Sequence, residues 1–161
     1  MLDENNEYKI FNEIIIPEGT TIIKNSHFYC FNSLDKVVIP EGVTTIGSSA
    51  FSRTKIKDLY LPSTLESLKM YCFCGYGEYV ENVYYSGTIE QWCNIEIELL
   101  GNPLEKANFY MLNEDNEFEL VTEINIPNTV TEIGEYNFRS INNIDTVIIP
   151  NSIKELKAEV F

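Results

Sequence analysis

Histidine is almost absent from this chain: His27 stands alone among 161 residues. Any nucleophilic site built on an imidazole must therefore run through that one position. His27 directly precedes Phe28 in a segment that reads as a turn, so a half-buried structural residue is expected there. Basic residues are also scarce, with 11 Lys and Arg against 25 Asp and Glu, a net charge of −14 and a pI near 4.3. A surface of that sign repels phosphate backbones and anionic lipid, which argues against nucleic-acid and membrane-surface binding. Cysteine occurs four times, as Cys30, Cys72, Cys74 and Cys93, with no C-x-x-C spacing. A zinc site therefore has little support, and a chain long enough to build a core needs no disulfide framework. Free thiols filling the interior are expected, with Cys30–Cys74 or Cys72–Cys93 bridges as the alternative.

Other signatures are missing as well. No apolar run approaches the ~18 residues of a membrane-spanning helix. The start, Met1-Leu2-Asp3-Glu4-Asn5, carries neither the basic nor the apolar stretch of a signal peptide. There is no glycine-rich phosphate loop, and no spacing singles out a pair of carboxylates for acid–base work. The acidic turns at Asp3–Glu7 and Glu114–Glu117 lack the alternation and the glycine of a calcium loop, and read as hairpin turns. The expectation is a protein that is not an enzyme and holds no cofactor and no metal.

What the sequence does have is a repeat. An Ile-Pro or Leu-Pro dipeptide ends at Pro17, Pro40, Pro62, Pro127 and Pro150. Eleven residues after each proline stands a phenylalanine: Phe28, Phe51, Phe73, Phe138 and Phe161. Six residues after it stand Ile23, Ile46, Leu68, Ile133 and Leu156, and three after it Thr20, Val43, Leu65, Val130 and Ile153. Residues six, three and one before the prolines are aliphatic or aromatic in all five copies, as in Leu34-Val37-Ile39. Positions three and one before proline share a face of a short strand. Proline closes that strand, because it cannot donate to a ladder. Turn formers such as Glu41-Gly42 follow, then a second straight segment carrying Val43 and Ile46. Gly47–Phe51 reads as a tight turn leading into a helical or 3₁₀ turn that plugs the interior. A single such coil cannot bury its apolar side, but stacked coils share one core.

The 65-residue gap between Pro62 and Pro127 holds a variant coil in which Ser86 stands in for proline. Ile89 and Trp92 then take the places of Val43 and Ile46, and Trp92 is read as packing. An insertion of about residues 94–120 is read as a loop at Gly101-Asn102-Pro103 and two strands around an Asn113–Asn116 hairpin turn. Residues 1–161 thus form one solenoid domain, mainly β, with six coils centred on Pro17, Pro40, Pro62, Ser86, Pro127 and Pro150. A longer period lies above the short one, since Met111–Phe118 matches Met1–Tyr8 at a spacing of 110 residues. With no polar capping unit at either end, the chain reads as a segment of a longer array, or one whose ends self-associate end to end.

The strings Leu34-x-x-Val37-x-Ile39-Pro40-x-x-Val43-x-x-Ile46-Gly47-x-x-Ala50-Phe51 and Val130-Thr131-Glu132-Ile133-Gly134-x-x-x-Phe138 resemble the BspA-type, or Treponema-type, leucine-rich repeat. Asn137 and Cys72 depart from its usual Ala before Phe, and Thr20 from its usual Val. The resemblance implies a right-handed solenoid and proteins that are surface-exposed or secreted, engaged in adhesion or host binding.

A candidate face follows from the strand register. Residues two before each proline position point away from the core: Ile15, Val38, Tyr60, Tyr84, Asn125 and Ile148. Residues four before it include Lys36, Asp58 and Asn82. Stacking would align them into an aromatic and aliphatic ladder flanked by polar groups, a composition suited to a protein partner. The alternative is a structural spacer array with no ligand of its own.

Overall fold

A computed structural model of the protein describes residues 11–75 and 80–161. The Asp3–Glu7 turn and the Met1–Tyr8 half of the long repeat lie outside the described residues. Short strands end at the proline motifs: β1 (Glu13–Ile15), β3 (Lys36–Val38), β5 (Asp58–Leu61), β11 (Glu123–Asn125) and β12 (Thr146–Ile148). The Ser86 motif ends β7 (Asn82–Tyr85). Second segments form β2 (Ile22–Ile23), β4 (Thr45–Ile46), β6 (Ser67–Leu68) and β8 (Glu96–Ile97). The hairpin is β9 (Asn108–Leu112) with β10 (Phe118–Leu120), and the helix among the described residues is α1 (Ile89–Cys93).

Equivalent strands stack in parallel without slippage, as in Ile14↔Val37↔Leu59↔Val83. They form a six-stranded sheet ordered β1-β3-β5-β7-β9-β10, a four-stranded sheet β2-β4-β6-β8 and a two-stranded sheet β11-β12. Register is exact in period because a one-residue slip would turn every inward side chain to solvent. Val37, Leu59, Val83, Phe109 and Ile124 are fully buried between the sheets. The phenylalanines form an interior stack, with Phe28–Phe51 centroids 5.0 Å apart and Phe51–Phe73 5.5 Å apart, both nearly parallel. Thr20, the polar exception, donates its hydroxyl to the Pro17 carbonyl at 2.8 Å. His27 stands exposed rather than half-buried, edge-on to Phe28 at 4.9 Å, because no described residue covers that side of its turn.

The third side of each coil differs from the helical or 3₁₀ turn expected. Successive four-residue turns (Ala50 N to Gly47 O, Ser52 N to Ser49 O, Thr54 N to Phe51 O) are interrupted by residues of positive φ. Ser26, Ser49, Tyr71, Tyr136 and Glu159, nine after each proline, are left-handed, as are Cys30, Arg53 and Ser140 thirteen after. None is glycine, so each carries a backbone cost of order 1 kcal/mol. The compensation is inter-coil bonding, since these turns aim N–H groups at the next coil: Ser49 N to Met70 O at 3.0 Å, Phe51 N to Cys72 O at 2.8 Å and Arg53 N to Cys74 O at 3.0 Å.

The variant coil is also built differently. Ile89 and Trp92 lie on α1, not on a second strand. Thr88 caps this helix in a reciprocal box with Gln91, which decides the local conformation in favour of a helix. Ile97 takes the strand place opposite Leu68. Residues 94–120 are therefore not wholly an insertion: they supply β8, and β9 joins the main sheet beside β7. The helix lengthens this coil, so Asn82 faces Asn108 at a separation of 26 residues. Gly87 is required here, because a Cβ would fall 2.4 Å from the Tyr85 ring. The hairpin turn forms as read, with Asn113 Oδ1 accepting from Asp115 N and Glu117 N, both at 3.0 Å.

Trp92, Tyr85 and Phe109 fill the middle of the stack, with the Trp92 ring centre 5.0 Å from that of Tyr85 and 5.1 Å from that of Phe109. The four cysteines are free thiols, with Cys72 and Cys93 buried and Cys30 and Cys74 half-buried. Burial pushes the Cys93 thiol up to about 12, so it stays protonated at neutral pH.

Between the fourth and fifth coils the sheets break, and side-chain amides take over. Trp92 Nε1–H donates to Asn137 O at 2.8 Å, and Asn137 Nδ2 donates to Trp92 O at 2.6 Å and Ile95 O at 3.3 Å. Asn102 Nδ2 donates to Tyr136 O at 2.6 Å. Asn137 is fully buried, so its departure from alanine is a junction device rather than a packing detail. Gly134 makes room for it, since a Cβ there would meet Asn137 Oδ1 at 2.3 Å.

One carboxylate ties three coils together at the post-proline turns. Glu41 accepts from Ser63 N at 3.0 Å, Ser63 Oγ at 2.9 Å and Ser86 Oγ at 2.7 Å. Partial burial raises its pKa, but donation from Ser86, Ser63 and Thr64 outweighs this and holds it below the ordinary 4.5. A depressed carboxylate contributes stability above its unfolded pKa and loses it as pH falls through the folded value. Glu41→Gln should therefore cost about 1 kcal/mol at neutral pH, allowing for screening at this exposed group. Urea midpoints of the two proteins should converge below about pH 4.5. A pH-independent difference would show that the charge plays no part.

Candidate functional site

The outer face of the six-stranded sheet is assembled from strand residues that alternate with the core. One row runs Ile15, Val38, Tyr60, Tyr84 and Tyr110, each opposite the next. The second row runs Glu13, Lys36, Asp58, Asn82 and Asn108. Among the residues singled out by the sequence, Ile15, Lys36, Val38, Asp58, Tyr60, Asn82 and Tyr84 are brought together here. Asn125 and Ile148 are opposite each other, but on the separate β11-β12 sheet.

The tyrosines stack ring on ring. Tyr60 and Tyr84 are 4.4 Å apart at 9°, and Tyr84 and Tyr110 are 4.7 Å apart at 21°. Their faces are thus occupied by one another, and what they offer outward is edges and hydroxyls. Phe118 of β10 adds to this, meeting Tyr60 at 5.8 Å and Tyr84 at 5.3 Å, both edge-on at 73°. The hairpin therefore lies over one end of the ladder, while Ile15 stays 67% exposed at the other.

The polar row is a directed chain of amides. Asn143 Nδ2 donates to Asn108 Oδ1, Asn108 Nδ2 to Asn82 Oδ1 at 2.9 Å, and Asn82 Nδ2 to Asp58 Oδ1 at 2.9 Å. Each amide polarises the next and the chain ends on a carboxylate, an arrangement that strengthens its members. Tyr84 OH also reaches Asp58 Oδ1 at 3.4 Å. Burial, followed by the Asp58 charge, pushes the Tyr84 phenol up to about 12, so it serves as a neutral donor. Lys36 pairs with Glu13 at 2.8 Å and holds its Nζ 5.5 Å from the Tyr60 ring centre. Glu13 first among its partners raises the Lys36 pKa, so that ammonium is charged throughout the physiological range.

Tyr110, Asn108 and Phe118 belong to this face and were not among the residues marked by the sequence. The lengthened coil moved them out of the expected register. A signal was present: Asn108-Phe109-Tyr110 repeats the pattern of Asn82-Val83-Tyr84. No group of three or more His, Cys, Asp and Glu that could hold a metal ion occurs among the described residues. No helix among them is long and apolar enough to cross a membrane.

The family model for the BspA type leucine-rich repeat region matches in six copies, over residues 6–95 and 113–161. The chain belongs to the BspA-type leucine-rich repeat family. This BspA-type chain departs from the repeat pattern over the stretch between the two matched regions, which contains the whole of β8 and β9. Similar solved structures include a leucine-rich repeat protein from Bacteroides ovatus, 18% identical with a TM-score of 0.42, covering 90% of this chain and 44% of that one. Another is the pneumococcal vaccine antigen PcpA, at 13% identity and 0.40, covering 91% and 47%. A leucine-rich repeat protein from Eubacterium ventriosum gives 22% and 0.37, covering 90% and 49%. The BspA-type chain thus spans less than half the length of each of these proteins. No curated protein matches it. Its fold is that of a repeat scaffold.

Proposed function

We propose that this chain is a non-catalytic, protein-binding segment of a bacterial surface or secreted adhesion scaffold. The outer face of the six-stranded sheet is the proposed contact. One observation carries the reading: an exposed sheet presents Ile15 and Val38 beside a stacked tyrosine ladder and an ordered polar row. Tyrosine edges, aliphatic side chains and satisfied amides together suit a protein surface, with apolar area at the centre and hydrogen-bonding groups at the rim. Rings that cover one another's faces do not suit a sugar-stacking platform. The surface or secreted location and the adhesion role rest on the family resemblance.

The test is partner capture from a cell-surface protein extract. Replacing Tyr60 and Tyr84 together by Ser should reduce capture at least tenfold, whereas Ile22→Ser on the four-stranded sheet should leave it unchanged. Circular dichroism of both variants separates loss of the face from loss of the fold. Undiminished capture by the folded double variant would remove this face from consideration. The spacer reading is favoured by the 110-residue period, which suits a long array in which length itself is the product. It predicts that no variant of this face changes any capture. End-to-end self-association is a further proposal of that reading, and sedimentation at increasing concentration tests it.

A further inference from the structure

The four-stranded sheet stops at β8. Glu96 N and Glu98 N donate to Glu66 O and Leu68 O, each at 2.9 Å, so these residues turn their backbone groups toward β6. Ile97 lies between them, and strand alternation points its N–H and C=O the other way. No described strand pairs with that edge. In the fifth coil residues 131–135 face it without strand structure. Between them lies an open cleft of about 740 Å³.

The walls of the cleft have one prevailing sign. Glu96, Glu98, Glu132 and Glu135 line it, with Lys157 paired to Glu132 and Lys69 lying 2.9 Å from Glu96 and 3.0 Å from Glu98. Carboxylates therefore outnumber ammonium groups two to one. Gly134 also lines the cleft, so no side chain there narrows it. A free strand edge and an excess of carboxylates call for the same ligand chemistry: extended backbone with positive side chains.

From this we infer that the cleft between β8 and the fifth coil binds an extended basic peptide segment. The segment adds to β8 as a fifth strand, and its Lys or Arg side chains meet Glu132 and Glu135. Backbone pairing at the edge supplies the register, and the acidic walls select the partner. The chain's net charge of −14 speeds encounter with such a segment. This site is on the second sheet and is independent of the outer-face reading.

The probe is an acetylated nine-residue peptide of alternating lysine and valine, followed by fluorescence anisotropy on the whole chain. A second peptide carries N-methyl groups at every residue, which keeps the charge and removes the strand donors of both edges. Binding of the first peptide should be at least tenfold tighter than that of the second. It should weaken at least tenfold on E132K/E135K, two exposed positions, with circular dichroism checking that the variant is folded. Exchange of the Ile97 amide should slow at least tenfold in the presence of the first peptide. Absence of binding, equal affinity for the methylated peptide, or unchanged Ile97 exchange would each overturn the proposal. Unchanged binding by E132K/E135K would do so too, by placing the peptide elsewhere on an acidic surface.

Discussion

Phe51→Ala is expected to destabilise the protein by about 3–5 kcal/mol, the range for deleting a fully buried aromatic ring. Phe51 has no exposed surface and lies between Phe28 and Phe73. Its removal forfeits two ring stacks and leaves a cavity that the rigid ladders on three sides cannot close. The loss is comparable to the whole stability of a small domain. In a stack where each coil touches only its neighbours, the damage should be local. The first three coils should melt ahead of the rest. Trp92 is the only tryptophan and sits in the fourth coil, so its fluorescence reports there, while circular dichroism reports the whole chain. In the variant the circular dichroism midpoint should fall below the fluorescence midpoint. Coincident curves would show a single cooperative unit instead.

Trp92→Ala is expected to cost about 3–5 kcal/mol and Asn137→Ala about 1–3 kcal/mol, and the two should not add. Trp92 is buried against Tyr85 and Phe109. The two residues exchange hydrogen bonds across the break between the sheets, Trp92 Nε1–H to Asn137 O and Asn137 Nδ2 to Trp92 O. Alanine at 137 matches the residue at the equivalent position, Ala50, and by repeat consensus would be harmless. Here it leaves the Ile95 carbonyl without its donor in a buried site and removes one of the donors of the Trp92 carbonyl, which keeps Ile95 N at 3.1 Å. Urea unfolding of both single variants and the double variant, followed by circular dichroism, gives the coupling. A coupling of 0.5–3 kcal/mol is expected for groups that share a network. Strict additivity would mean that the two side-chain-to-backbone bonds act independently rather than as one clasp.

The contrast between these residues indicates what the sequence could reveal. Phe51 was legible because five copies place a phenylalanine at one offset, and only stacking explains such agreement. The strand faces were legible for the same reason, through the two-residue alternation before each proline. The fourth coil was not, because Ile89 and Trp92 offered the correct spacing for a strand while Thr88 and Gln91 supplied a helix cap. Spacing alone does not separate the two when local capping competes. That error of register hid Tyr110 from the ladder and Phe118 from its cover. The left-handed turns gave no sign either, since Ser, Arg and Tyr occupy them rather than Gly. Inter-coil hydrogen bonds hold them there, and such bonds exist only once coils are stacked. Asn137 was visible only as a departure from the pattern. Its meaning depends on a partner 45 residues away.

The outer face of the main sheet is the proposed contact surface of this scaffold. A photocrosslinking residue placed at Ile15, on that face, can be compared with one at Ile22, on the four-stranded sheet of the same coil. These positions are 67% and 56% exposed, so access is nearly equal and only the face differs. With cell-surface protein present, the Ile15 probe should give a discrete adduct and the Ile22 probe none. Adducts at Ile22 alone, or equally at both positions, would contradict the claim.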